Sequence, residues 1–134
     1  MLYPIAIERG DEKTAFGVVV PDLEGCFSAG DTYSEALLNT KDAINMYLEA
    51  LADNGELPPP ASHVEDHLDS HDYDGWLWAL IDINVDPFMG GAVKKNVTIP
   101  KILLKKIDDA IVIDSQYKDR SHFLQVAAMH ELGL

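Results

Sequence analysis

Lys94-Lys95-Asn96-Val97-Thr98-Ile99-Pro100 alternates in polarity. Val97 and Ile99 fall on one side of an extended chain, and Lys94, Asn96 and Thr98 on the other. Pro100 ends the run and suits a helix start, where its missing N–H is not needed. Beyond it, Leu103, Leu104, Ile107, Ala110 and Ile111 recur as a helical stripe. After a polar turn, Asp119 can cap a last helix bearing Phe123, Leu124, Ala127, Ala128 and Leu132. About forty residues of strand–helix–helix enclose too small a core to stand alone, and a lone strand leaves two edges unpaired. Pairing it with the same strand of a second copy solves both problems and predicts a homodimer through the C-terminal strands, or a higher oligomer built on it. The resulting ribbon presents Lys94, Asn96 and Thr98 twice on one surface. Such a ribbon fits the major groove of DNA, where Lys donates to guanine, Asn pairs with adenine and Thr meets either. Lys95, Lys118, Arg120 and Ser121 are placed for phosphates, the last two at a helix start.

Upstream, Pro87-Phe88-Met89-Gly90-Gly91 reads as a hinge, giving an acidic domain over 1–88 and a DNA-binding domain over 93–134. Charge divides at the same place. Residues 1–92 carry 18 Asp/Glu against 3 Lys/Arg, whereas residues 93–134 carry 5 against 7. An acidic surface repels nucleic acid and attracts basic partners, so the two parts are expected to serve different partners. No stretch approaches the ~20 apolar residues of a membrane span, and no basic-then-apolar leader opens the chain. With Cys26 as the lone cysteine, a reducing cytoplasm is the expected location.

In the acidic part, Tyr3, Ile5 and Ile7 alternate as in a half-buried strand, Arg9–Lys13 reads as a turn, and Phe16, Val18 and Val20 continue a hairpin. A third short strand is expected over 26–29. Thr32 stands three residues before Glu35, the spacing of a capping box, and opens a helix with Leu37, Ile44, Leu48 and Leu51 on one face. Asn54-Gly55 supplies its stop. Leu57-Pro58-Pro59-Pro60 is a stiff connector, 62–69 suggests a brief helix, and Trp76–Ile81 reads as a buried strand. The fold class is therefore α+β, an antiparallel sheet with a helix followed by strand–helix–helix.

The C-terminal residues resemble the ribbon-helix-helix family of DNA-binding proteins, through the Thr98-Ile99-Pro100 strand end and the Arg120-Ser121-x-Phe123-Leu124 helix start. Asp119 stands where that family often has Ser, and its carboxylate would repel a phosphate there. The string from Phe16 to Thr32, with Val18-Val19-Val20-Pro21-Asp22-Leu23-Glu24-Gly25-Cys26-Phe27 at its centre, looks like the HicB antitoxin family. The resemblance implies a truncated RNase H-like domain joined to a DNA-binding module. It also implies two tasks: neutralising a HicA-type toxin, a small basic ribonuclease that cuts mRNA, and repressing its own operon at operator DNA. On that reading Asp22, Glu24 and Phe27 are the expected toxin contacts.

An RNase H-like fold invites a metal-dependent nuclease using Asp22, Glu24, Asp31 and Asp82, but these acids lie at turns and strand ends, where acids are ordinarily solvated. His63, His67 and His71 recur every fourth residue, a metal spacing only if a helix continues through all three. Cys26 has no neighbouring base and reads as a small buried residue. Gly25 and Gly30 lack the following Lys-Ser/Thr of a phosphate loop. No catalytic residue, metal or other cofactor is expected. Trp76 and Trp78 share one side of a strand, which puts at least one in the core, with a partner-facing patch as the other possibility. The rival function is a stand-alone ribbon-helix-helix regulator with a ligand-sensing N-terminal domain.

Overall fold

A computed structural model describes residues 1–134. The chain is mixed α and β, with one four-stranded antiparallel sheet and three α-helices. It forms two compact units, Met1–Gly91 and Ala92–Leu134.

In the first unit, β1 (Leu2–Glu8) and β2 (Phe16–Val19) form the expected hairpin, and β3 (Phe27–Gly30) adds to β2. β4 (Leu77–Asp82) returns to the other side of β1, so the order is β3-β2-β1-β4. Tyr3, Ile5, Ile7, Val18 and Val20 form the core with Ile44 and Leu48 of helix α1 (Tyr33–Asp53). Thr32 caps α1, its Oγ1 accepting the Glu35 N–H at 3.1 Å. Beyond the helix end, Gly55 takes φ of +75°, and the Glu56 and Gly55 N–H groups bond the Leu51 and Ala52 carbonyls. This left-handed stop is the one Asn54-Gly55 led us to expect.

β1 is more buried than a half-buried strand. Pro4 and Ala6, on the face away from α1, are as inaccessible as Tyr3 and Ile5. The segment between α1 and β4 is why. Tyr3 Oη donates to the Pro59 carbonyl at 2.6 Å, and Asp22 Oδ2 accepts the Ser62 N–H at 2.9 Å. His67 stacks on Trp78, which sits across the ladder from Ala6, and Tyr73 meets Trp76 and Trp78 edge-on. Neither Trp joins the core cluster. Both are half-buried on the second face of the sheet, which corrects the expectation that one would be core.

The brief helix expected over 62–69 is a single 3-10 turn, Val64–His67, and a second, His71–Tyr73, follows it. Pro4, in a central strand, is explained by the ladder. Met1 and Ile83 exchange backbone bonds, so by alternation Leu2, Pro4 and Ala6 turn their N–H side toward β2. Pairing with β2 covers only Ala6–Glu8, and Pro4 therefore denies no donor to a partner.

The second unit holds α2 (Lys101–Ile113) and α3 (Arg120–Glu131). Ile107 is its one buried residue, while Ile102, Val112 and Ile113 are largely exposed. No helix is long and apolar enough to cross a membrane.

Candidate functional site

In the second unit, residues 94–99 make no backbone hydrogen bond within the chain and form no ladder. A strand needs a neighbour, and one copy supplies none. Val97 and Ile99 line a cleft of about 280 Å³ with Leu104, Ile107, Arg120 and Leu124. Lys94, Lys95, Asn96 and Thr98 are exposed, and no hydrogen bond holds their side chains. Pro100 stands at the N-cap, one place before the position expected, and its carbonyl accepts the Leu104 N–H at 2.9 Å.

The start of α3 is arranged differently from an open phosphate site. Asp119 Oδ1 accepts the His122 N–H at 2.8 Å, so the helix is capped by its own carboxylate. The Arg120 guanidinium donates through Nε and Nη2 to the two Asp108 oxygens, each at 2.8 Å. This bidentate pair ties α3 to α2. The Arg120 bond holds the Asp108 carboxyl below its ordinary range and raises Arg120 in turn. Of the four expected phosphate contacts, Lys95, Lys118 and Ser121 have side chains free of internal bonds, and Arg120 does not. Asp108 escaped sequence reasoning because nothing in the local pattern joins positions twelve apart across a turn.

In the first unit the chain between β2 and β3 forms a tight loop. Val20 N–H bonds the Cys26 carbonyl at 3.2 Å, Cys26 N–H bonds the Leu23 carbonyl at 2.9 Å, and Gly25 takes φ of +79°. Leu23 and Cys26 point inward, and burial pushes the Cys26 thiol up. Glu24 is exposed, and Phe27 is 66% exposed despite its size. Asp22 is half-buried and anchored to Ser62, so the structure brings Glu24 and Phe27 to the surface but turns Asp22 to an internal bond. Around Phe27, the second face of the sheet carries Ala29, which is exposed, and Gly17 and Val19, which are half-buried.

The metal candidates do not converge. Asp82 holds the Met1 ammonium at 3.3 Å while Asp22 holds Ser62. His67 Nε2 lies 2.7 Å from Ser62 Oγ, His71 Nδ1 lies 3.2 Å from Asp74, and His63 caps a 3-10 turn. The 3-10 turns break the four-residue alignment an α-helix would have given. No group of three His, Cys, Asp or Glu is placed to hold a metal ion. An open groove of about 620 Å³ lies between Leu2, Leu80 and residues 61–65.

Residues 3–128 match the family model described as HicB-like antitoxin of bacterial toxin-antitoxin system. An uncharacterized 14.9 kDa protein in the rep-hol intergenic region of Haemophilus phage HP1 is 40% identical over 132 residues, covering 98% of each chain. The crystal structure of the Burkholderia pseudomallei antitoxin HicB is 34% identical, covers 98% of each chain, and superposes with a TM-score of 0.76. A chain of the HicA3 and HicB3 toxin-antitoxin complex is 30% identical, covers 63% of this chain and 99% of its own, and has a TM-score of 0.54.

Proposed function

The chain belongs to the HicB-like antitoxin family of bacterial toxin–antitoxin systems, a non-enzymatic component of them, and on that premise we propose how it acts. The first unit, read as a truncated RNase H-like domain over 1–88, binds and neutralises a HicA-type mRNA-cleaving toxin in the cytoplasm. Its excess of acids suits a basic partner. Glu24 and Phe27 meet that partner from the exposed side of the loop, with Asp22 holding the loop in place. The second unit, read as a ribbon-helix-helix domain over 93–134, dimerises through residues 94–99 and represses the operon at its operator. Lys94, Asn96 and Thr98 read bases, and Lys95, Lys118 and Ser121 hold phosphates, with Arg120 joining them once it leaves Asp108.

The observation that carries the second part is the unpaired segment at 94–99, which makes no backbone hydrogen bond within the chain. Its apolar side chains line a cleft over Ile107, and its polar ones are free. A second copy of the same segment satisfies both sides at once.

Co-expression with any small basic protein encoded beside this chain tests the first part. Such a partner is expected to arrest growth alone and to be tolerated beside this chain; arrest that persists refutes the antitoxin role. For the second part, Asn96→Ala with Thr98→Ala is expected to abolish operator preference while the dimer persists. Unchanged preference removes the ribbon from base readout. As a ligand sensor the chain has less to offer, because the groove beside Leu80 is open and no buried side-chain polar atom lacks a partner.

A further inference from the structure

Helix α1 carries a second stripe opposite its buried one. Ala36, Thr40, Ile44 and Leu48 face inward. Glu35, Leu38, Asp42, Met46, Glu49 and Asp53 recur at steps of three and four residues. At 3.6 residues per turn they share one sector about 80° wide on the far side of the helix, over a length of about 27 Å. All six are exposed, Leu38 at 67% and Met46 at 71%. Single exposed apolar residues are ordinary, but these two repeat within one row of acids. The row holds four carboxylates and no base, Lys41 lies off it, and no cation of the chain pairs with any of the four. Asp53 ends the helix four residues after Glu49, with no base in the last turn. Like charges four apart repel, and an acid there meets the negative end of the helix dipole. Both effects cost the helix stability, and a bound cation relieves both.

We infer that this stripe is a docking face for a basic amphipathic helix of a partner protein. Leu38 and Met46 pack between apolar side chains of that helix, and the four carboxylates pair with its Lys and Arg. The inference rests on the antitoxin reading above, whose partner is basic, and names the element of the first unit that holds it. A helix suits the stripe because rows spaced three and four residues apart interdigitate with the same rows on another helix. Charge selects among occupants. No register of two such stripes offers any acid a base, so a second copy is disfavoured. Nucleic acid and anionic lipid meet the same repulsion. Phe27 projects from the sheet face away from α1, so a partner that also meets Phe27 reaches around the short β3 edge.

The test is the binding kinetics of the full chain with a small basic protein encoded beside it, over a range of salt. Glu49→Lys with Asp53→Lys is expected to slow association at least about ten-fold at low salt, the gap closing as salt rises. The same variant should raise the urea midpoint, because it relieves the repulsion at the helix end; a merely structural role would lower it. Leu38→Gln with Met46→Gln is expected to speed dissociation at least about ten-fold, with the urea midpoint unchanged. Equal rates for the wild type and both variants overturn the docking face and leave the antitoxin reading standing. No binding by the wild type overturns both. A mass by light scattering that falls in Leu38→Gln with Met46→Gln, at unchanged partner rates, gives the stripe to a second copy and overturns it as well.

Discussion

Gly30 and Gly17 lie on adjacent strands, yet a methyl group would mean opposite things at each. At Gly30 a Cβ would come 2.3 Å from the Ala36 nitrogen, because the first turn of α1 rests on β3. At Gly17 it would meet only Glu8, at 3.7 Å. Gly30→Ala is expected to destabilise by about 1–3 kcal/mol or more, and Gly17→Ala to be neutral or to stabilise by up to about 1 kcal/mol; urea unfolding measures both. Tyr3 and Asp108 carry opposite pH signatures. Burial, and secondarily the charge of Asp22, push the Tyr3 hydroxyl up to about 12. A raised value means that its contribution is complete below the ordinary phenol value of about 10 and is lost as pH climbs through about 12. Tyr3→Phe should flatten that alkaline limb of stability. Asp108 is held low by the Arg120 hydrogen bond, so the brace between α2 and α3 is present above about pH 4 and lost as pH falls through the lowered value. Asp108→Asn should remove that acid limb and free Arg120, raising DNA affinity and steepening its salt dependence by about one ion. An unchanged salt slope would mean that Arg120 never reaches a phosphate.

At the scale of the element, α1 is the part most fully written into its own sequence. Thr32 caps it, Gly55 stops it, and Ile44 and Leu48 are fully buried as their spacing requires. Thr32→Ala should cost about 1 kcal/mol, and Ile44→Ala about 2–5 kcal/mol, both read as shifts in the denaturant midpoint. The sequence did not announce that Thr40 also lies inside. Its hydroxyl donates to the Ala36 carbonyl at 2.6 Å, a bond within the helix that lets a polar residue pass as core. β1 shows the same limit. Its alternation is visible in the sequence, but burial of Pro4 and Ala6 depends on a segment more than fifty residues away that folds over the second face. Trp78 of β4, with Trp76 just before the strand, has the period of a core strand yet lies outside the core, because the core face of the sheet is already filled by α1.

For the whole molecule, the division of charge matches the division into units. The acid-rich part is Met1–Gly91, and the mildly basic part is Ala92–Leu134. The second unit buries one residue, Ile107, and leaves Val97, Ile102 and Ile113 exposed, too little for a stable single copy. Excised as residues 92–134, it is expected to melt at a temperature that rises with its concentration. A concentration-independent midpoint would count against the dimer. By itself the sequence determined what depends on neighbours along the chain: the hairpin, the capped helix, the break near Gly90-Gly91 where the two units divide, the charge division and the family motif from Phe16 to Thr32. Hydrogen-bond caps, turn glycines and side-chain period act within a few residues, so they can be read in order. The tertiary structure alone decided the outer placement of Trp76 and Trp78, the anchoring of Asp22 by Ser62 and the pairing of Arg120 with Asp108. Each joins residues far apart in the chain or depends on which sheet face is already taken, and no local pattern records that.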